Sequence, residues 1–257
     1  MRRTTVRRTA VAATAVSLAL LVSACGSKKE DSSAKDEPKA KASSGAPAAP
    51  GGKALSKAEL DKLVLTQADL QGHKVAEATE ADLAATKGVS SDKAECKPLV
   101  DAMMMHGAGT PAATATRKIV GIPQAPAADA SAEEKMKAGL GALGATVTAD
   151  TLGSHDGQGA TEAVAGLKKA GTDCAGGFTL TAGGEKTKIT KVESASYTAG
   201  DEAVAFTLTV DLEGQAGTAH MVAVRKSTTV ATFYAQSLAG KAEQPKAVID
   251  AQVKKLG

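Results

Sequence analysis

Aromatic side chains are almost missing from this sequence of 257 residues. It contains no tryptophan, and its aromatic residues are three phenylalanines and two tyrosines. Sugar-binding platforms and readers of single-stranded nucleic acid both depend on stacked aromatic rings. The composition therefore argues against both classes, and it requires a hydrophobic core built mainly from alanine, valine and leucine.

A strong excess of charge of one sign is also missing. The chain has 31 basic and 28 acidic residues, and four of the basic ones, Arg2, Arg3, Arg7 and Arg8, precede Cys25. A chain that begins at Cys25 keeps 27 basic and 28 acidic residues. Nucleic-acid binding needs a concentrated positive field, so this balance gives no support for a nucleic-acid partner.

The longest apolar run is too short for a membrane-spanning helix, which needs about 20 residues. It covers residues 11–22, follows the arginine-rich start and matches a secretory signal peptide. It ends in Leu21-Val22-Ser23-Ala24-Cys25, which resembles the lipobox of bacterial lipoproteins. That resemblance implies cleavage before Cys25 and a diacylglyceryl group on its thiol. The alternative is an ordinary signal peptide followed by a chance cysteine.

The segment after Cys25 is typical of a disordered tether. As far as Lys53 it consists mainly of serine, lysine, alanine, glycine, proline and acidic residues, which offer little apolar surface to bury. A diacylglyceryl group supplies the two chains that stable membrane attachment requires. We therefore expect a signal peptide at 1–24, a lipidated cysteine with a tether of about 30 Å at 25–53, and a folded domain at 54–257. This arrangement predicts localisation at the outer face of the cytoplasmic membrane.

Two cysteines, Cys96 and Cys174, remain for the folded region. An exported protein meets an oxidising environment, so the pair predicts a disulfide. In the chain-entropy model, closing so long a loop stabilises the fold by roughly 4–5 kcal/mol. Two free buried thiols are the alternative. Neither cysteine has a second cysteine or a histidine at metal-ligand spacing, so we expect no metal site and no cofactor.

The hydrophobic periodicity predicts an α+β domain. Helices are predicted near 56–66, 94–105, 131–140, 157–170 and 246–256, and strands near 114–122, 145–152, 178–182, 186–198, 202–213, 219–226 and 228–236. Ser56 and Glu59 have capping-box spacing, and Pro245 begins the last helix. Turns are predicted at Gly183-Gly184 and between Gly214 and Gly217. The pattern indicates an antiparallel meander covered by helices on one face.

Short motifs follow one another in the second half of the chain. They are Leu167-Lys168-Lys169, Asp173-Cys174, Phe178, Gly200-Asp201-Glu202-Ala203, Met221-Val222-Ala223-Val224-Arg225 and Gln252-Val253-Lys254-Lys255-Leu256. This order resembles the C-terminal half of an actinobacterial extracellular sensor-like domain, found in secreted lipoproteins and outside some Ser/Thr kinases. The resemblance, from Gly157 to Leu256, implies an α+β fold with an antiparallel sheet, disulfides and a small-ligand cleft. This chain lacks the second disulfide and the tryptophan that the family often carries.

Two motifs suggest catalysis at first sight. The glycines of Gly139-Leu140-Gly141-Ala142-Leu143-Gly144 match a dinucleotide loop, but such a loop follows a strand and opens a helix, whereas a helix-to-strand connection is predicted here. Ser154-His155-Asp156 contains the residue types of a hydrolase triad, but triads are assembled from separate segments, and the GxSxG pattern is absent. We interpret the first as a connection and the second as a turn.

A run of soft ligands, Met103-Met104-Met105-His106, could suggest copper. Successive helical residues point about 100° apart, which argues against convergence on one ion. We therefore expect core packing for the methionines and an exposed His106. His220 is expected at the start of a strand, on a surface or rim.

These observations predict a lipid-anchored, non-enzymatic binding or sensor-like module. Its partners would be the membrane, through Cys25, and a small molecule, lipid or envelope protein. Two alternatives stay open. The alanine-rich helices could line a cavity for lipid or other apolar cargo, which would make the protein a carrier. A cell-wall hydrolase using His155 or His220 is the other alternative.

Overall fold

The structure is a computed structural model that describes residues 52–123, 125–127, 129–237 and 239–257, with the backbone alone at 137, 140, 142 and 143. The predicted signal peptide, Cys25 and nearly all of the tether lie outside the described residues, so lipidation and the domain boundaries stay predictions. Within the described ranges, no helix is both long and apolar enough to cross a membrane.

Nine strands in the described part of the chain form one antiparallel sheet. They are β1 (His73–Glu77), β2 (Ser90–Ser91), β3 (Ala113–Gly121), β4 (Thr146–Ser154), β5 (Phe178–Ala182), β6 (Glu185–Ala195), β7 (Glu202–Leu212), β8 (Gln215–Lys226) and β9 (Thr229–Ser237). Their order across the sheet is β1-β3-β4-β9-β8-β7-β6-β5-β2. Strands β5 to β9 form the predicted meander, and β9 pairs with β4 to join the two halves. The predicted α+β fold with an antiparallel sheet is confirmed.

Six helices accompany the sheet in the described residues. They are α1 (Lys57–Leu63), α2 (Glu80–Ala85), α3 (Lys97–Met103), α4 (Ala132–Leu143), α5 (Gly159–Asp173) and α6 (Lys246–Leu256). The capping box of α1 is confirmed, because the Glu59 carboxylate accepts a 2.8 Å hydrogen bond from the Ser56 N–H and the Ser56 side chain accepts one from the Glu59 N–H. A 3₁₀ turn at Ala94–Cys96 leads into α3.

Each face of the sheet carries a hydrophobic core. On the disulfide face, α3 and α5 pack over residues that include Phe206 and Met221. On the opposite, terminal-helix face, α1 and α6 pack over residues that include Val222 and Phe233. The prediction that helices cover one face is therefore wrong. Strand β8 shows the reason: Met221 to Val224 are all buried, and successive strand residues point to opposite faces.

The disulfide between Cys96 and Cys174 is present, as predicted. Both residues are fully buried, and their Cα atoms are 5.8 Å apart. The bond joins the 3₁₀ turn before α3 to the C-terminal end of α5. It therefore fastens together the two helices that cover the disulfide face.

A buried glutamine fastens the two helices on the other face. The Gln252 side chain of α6 donates to the Leu63 carbonyl at 2.9 Å and accepts from the Leu65 N–H at 3.0 Å. Gln252 is fully buried, and both bonds go to backbone groups at the end of α1. The N-terminal and C-terminal helices of the domain are thus joined by one side chain.

The loop after β9 is held against the edge of β8. The turn between β7 and β8 consists of Glu213 and Gly214, with φ of 54° and 89°, so the prediction that extended it to Gly217 is wrong. Gly217 lies inside β8, where a Cβ would be 3.0 Å from the Gly240 carbonyl oxygen. Next to it, the Thr218 N–H donates to that oxygen at 2.6 Å. This close approach positions the segment that leads into α6.

Three short elements between residues 73 and 91, β1, α2 and β2, were not predicted. Strand β1 pairs only with β3, β2 has two residues, and α2 has six. Edge strands and single turns carry too few residues for a hydrophobic period to emerge, so their pairing partners determine them.

Candidate ligand-binding cleft

A cleft of about 640 Å³ opens at the end of the sheet where β3 ends and β4 begins. Its walls come from the start of β1, the end of β3, the start of β4, the loop after β9 and the first turn of α6. Small-molecule sites in proteins usually have volumes of roughly 300–1,000 Å³. The cleft is therefore large enough for a small ligand.

Two threonines of β4 form the base of the cleft. The Thr146 hydroxyl accepts a 3.1 Å hydrogen bond from the Glu243 N–H, which holds the loop before α6 over the strand. Thr148 is only 2% exposed, and its hydroxyl has no hydrogen-bond partner among the described residues and borders the cleft. Thr148 therefore offers an unused donor and acceptor to the cleft.

The first turn of α6 points unpaired backbone donors at the cleft. Pro245 is the N-cap residue and provides no side-chain cap, whereas the first helical bond runs from the Ile249 N–H to the Pro245 carbonyl. The N–H groups of Ala247 and Val248, both in the lining, have no partner among the described residues. A helix N-terminus carries a partial positive charge that favours anions.

The charged side chains in the lining are Lys241, Glu243, Lys246 and, when protonated, His73. Within the described chain, neither lysine forms a salt bridge. The ammonium group of Lys246 lies 5.4 Å from the centre of the Tyr197 ring. Two lysines against one glutamate leave the cleft with a positive balance.

Apolar groups complete the walls. Ile122 is 57% exposed at the end of β3, where it lines the cleft together with Pro123, Pro245 and Val248. A large exposed apolar side chain in a concave site provides area for contact with an apolar ligand group. The cleft therefore offers both polar and apolar surface.

A buried carboxyl lies further along the same strand face. Asp150 follows Thr148 by two residues on β4, is fully buried, and neither of its carboxyl oxygens has a hydrogen-bond partner. Burial raises the pKa of Asp150 to about 8, against the opposing effect of Arg117 on β3. The Arg117 guanidinium instead donates to the Thr116 carbonyl and lies 3.8 Å from Glu77. Asp150 is therefore neutral at pH 7.

Sequence reasoning did not identify Thr148, Asp150, Lys241 or Lys246. A signal for Asp150 is present, since it occupies the same strand face as the buried Leu152 in an alternating segment. The lysines carry no comparable signal, because a lysine in a loop is ordinarily a solvated residue.

The residues of the triad-like motif attach the beginning of the domain. The Ser154 hydroxyl accepts from the Leu55 N–H, and the Asp156 carboxylate accepts from the Ala54 N–H, both at 2.8 Å. His155 is 2% exposed, and its burial lowers the pKa of the imidazole. None of the three lines the cleft. Ser154 ends β4, so the prediction that all three residues form a turn is wrong: the turn follows Asp156, and the three residues dock the incoming chain.

The glycine-rich motif lies where a helix precedes a strand. Gly139 and Gly141 are within α4, and Gly144 lies between α4 and β4. The predicted order of a helix followed by a strand is confirmed, whereas residues 139–143 belong to the helix itself and only Gly144 lies in the connection. Gly141 and Gly144 contribute backbone to the cleft lining.

The backbone of Met103-Met104-Met105 differs from the predicted continuous helix. Helix α3 ends at Met103, and Met105 has a φ of 60°, so the three methionines are not successive helical residues. All three line one pocket of about 280 Å³ on the disulfide face, beside Tyr234. The prediction that they are successive residues of one helix is therefore wrong, whereas Met103 packs in the core as predicted.

His106 and His220 each lie close to a threonine hydroxyl. His106 is exposed, as predicted, with Nε2 at 3.2 Å from the Thr86 hydroxyl. His220 lies within β8 rather than at its start, and burial lowers its pKa. Among the described residues, no group of three His, Cys, Asp or Glu side chains could hold a metal ion.

No protein-family model and no curated protein matches the sequence. Among solved structures, the chain is similar to the extracellular domain of PknH from Mycobacterium tuberculosis, with 12% identity, coverage of 80% of this chain and 97% of that chain, and a TM-score of 0.44. It is also similar to an uncharacterised Rv0999 ortholog from Mycobacterium smegmatis, with 12% identity, coverage of 73% and 90%, and a TM-score of 0.35. Likeness at this level carries no argument about function, so the resemblance to a sensor-like domain stays a prediction.

Proposed function

We propose that this chain is an extracytoplasmic lipoprotein, anchored through Cys25, whose domain binds a small molecule or a protein partner without transforming it. The observation that supports binding is the cleft, since it combines a ligand-sized volume with unpaired donors and exposed apolar walls. The anchor rests on the lipobox-like segment before Cys25.

The engagement of Ser154 and Asp156 supports a non-catalytic role. Both side chains accept backbone hydrogen bonds from the segment that enters the domain, and His155 between them is buried. Assembly of a triad would first require release of these bonds. If the protein were a cell-wall hydrolase, the His155→Ala and His220→Ala variants would lose turnover of cell-wall material. We expect these substitutions to have no effect on turnover.

Native mass spectrometry of the full chain, purified from its own host, tests the binding function. We expect a reproducible additional mass that leaves on denaturation, or a partner that crosslinks at the cell surface. A bare mass together with no specific crosslink would contradict the proposal. A bound acyl lipid would favour the carrier alternative.

The anchor is tested separately by the Cys25→Ser substitution. We expect the unchanged chain to sediment with membranes and to carry a diacylglyceryl mass at Cys25. The variant should carry no such mass. An unmodified thiol on the wild-type protein would contradict the lipid anchor.

A further inference from the structure

The polar groups of the cleft share a preference for one kind of ligand. The two free N–H groups of α6 belong to Ala247 and Val248, and α6 is an 11-residue helix whose dipole places partial positive charge at this end. Lys241 and Lys246 belong to the same lining and form no salt bridge in the described chain, and the Lys246 ammonium group lies over the Tyr197 ring. Each of these groups donates hydrogen bonds, and none of them accepts.

Thr148 provides an independent indication of a ligand. It is 2% exposed, and its hydroxyl, which has no protein partner among the described residues, borders the cleft rather than lying fully buried. A hydroxyl that reaches the cleft and no protein group is free to donate to or accept from a ligand. A ligand atom in the cleft would provide the missing partner.

The cleft also limits the size and charge of its ligand. Ile122, Pro123 and Val248 give it an apolar wall, so a bare inorganic ion would leave that wall unused. Glu243 contributes one negative charge to the rim and opposes binding of anions that approach it. A single compact anionic group attached to an apolar body satisfies both sides of the site.

We propose that the cleft binds a small amphiphilic oxyanion, with a carboxylate or phosphate monoester at the α6 N-terminus and an apolar group against Ile122. This inference rests on the proposed binding function and names the ligand class for the same site. The oxyanion accepts hydrogen bonds from the Ala247 and Val248 N–H groups, from the Thr148 hydroxyl and from the two lysines.

Calorimetry with matched probes tests the ligand class. The full chain, held in phosphatidylcholine nanodiscs, is titrated with phenyl phosphate, phenylacetate, benzylamine and benzyl alcohol, with empty nanodiscs as the blank. We expect the two anions to bind and the cation and the alcohol not to bind. Raising the salt concentration should weaken binding, because exposed lysines are screened. Absence of binding by both anions, or equal binding of benzylamine, overturns the proposal.

Substitutions of both basic and acidic residues of the cleft test whether the probe binds there. Lys241→Gln and Lys246→Gln should each weaken phenyl phosphate binding by about tenfold, since charge-assisted hydrogen bonds are lost. Thr148→Val should weaken it without changing charge, and Glu243→Gln should tighten it. Lys188→Gln removes an exposed lysine of β6 outside the cleft and should leave affinity unchanged. Equal loss in the Lys188 variant would place the binding elsewhere and overturn the assignment.

The two proposals fail in distinguishable ways. A neutral or cationic molecule released from the native protein would preserve the binding function and overturn the oxyanion class. If the released molecule is an anion, its mass distinguishes an acyl lipid from a small metabolite. A native protein that carries nothing and crosslinks to nothing contradicts the binding function itself, whatever the added probes do.

Discussion

The two faces of the sheet are stabilised in different ways. On the disulfide face, a covalent bond joins α3 and α5, and the buried polar side chains of the strands, Thr116, Thr151 and Thr232, hydrogen-bond within the sheet. On the terminal-helix face, α1 and α6 are joined by hydrogen bonds from Gln252, and the strand surface includes the buried Asp150.

This difference indicates a division of labour within one sheet. The cleft opens beside α6 on the face that holds the buried, unpaired carboxyl of Asp150. Buried polar groups are costly unless they are paired, and they often mark sites where stability is reduced for function. The disulfide face therefore contributes rigidity, whereas the terminal-helix face holds the candidate site.

Removal of the disulfide should have the largest effect. The Cys96→Ala/Cys174→Ala variant of residues 52–257 should lose roughly 4–5 kcal/mol of unfolding free energy, because the bond closes a long loop in the unfolded chain. Urea denaturation measures the loss, and reducing agent should destabilise the wild type while leaving the variant unchanged. Detection of two free thiols in the unreduced wild type would contradict the pairing.

Replacement of Asp150 should have the next largest effect, and with the opposite sign. The pKa of Asp150 in the folded state, about 8, lies above its ordinary value. The free energy of unfolding is therefore highest below about pH 4, where the carboxyl is protonated in both states, and it decreases as the pH rises from about 4 to about 8. Asp150→Asn stays neutral and should be more stable than the wild type by up to about 4 kcal/mol at pH 7, but not at pH 4. Denaturation across this range measures the difference.

The exposed Asp129→Asn variant is the control for Asp150. It removes the same kind of charge from a surface loop, and its stability should follow the wild-type pH dependence. Parallel curves for Asp150→Asn and the wild type would show that Asp150 is not a neutral buried acid.

Substitution of the glutamine that joins α1 and α6 should have an intermediate effect. Gln252→Leu leaves the Leu65 N–H and the Leu63 carbonyl without their partners, which should cost about 2–3 kcal/mol. Hydrogen exchange at the Leu65 amide should accelerate in parallel. The exposed Gln215→Leu variant should change neither quantity, and an equal loss there would point to a general effect of leucine.

Two glycines of α5 should give the smallest effects, in opposite directions. A Cβ at Gly171 would lie 2.0 Å from Phe206 Cε1, so Gly171→Ala should cost about 1–3 kcal/mol on the disulfide face. Gly166 has open space around it, so Gly166→Ala should gain about 0.5–1 kcal/mol from helix propensity. The urea midpoint of unfolding should fall in Gly171→Ala and rise in Gly166→Ala, relative to the wild type. A rise in both variants would contradict the tight packing at Gly171.

Long elements with a clear period were predictable from sequence. The alternating segment of β7 and the capping box of α1 specify their own local structure. The cover on both faces was missed because β7 alternates, whereas β8 does not: Met221 to Val224 form a continuous apolar run, which indicates burial on both sides. This continuous apolar run in the sequence already indicated a hydrophobic core on each face of the sheet.

The cleft itself could not be derived from sequence. Its residues come from β1, β3, β4, α6 and the loop before α6; strand pairing places His73 near Thr146, and the packing of α6 adds Lys246. The methionine pocket depended on a backbone detail, the positive φ of Met105, that no periodicity expresses. The sequence predicted the fold class correctly, and tertiary structure was needed to locate a candidate binding surface.

Ala54 and Leu55, the start of the domain, are held at the end of β4 that is opposite the cleft. The chain enters beside Ser154, at one end of β4, and the cleft opens at Thr146, at the other end. A nine-residue strand is about 27 Å long from its first to its last Cα. The docked segment and the cleft therefore lie at opposite ends of β4, so a ligand could fill the cleft without displacing the hydrogen bonds that hold Ala54 and Leu55.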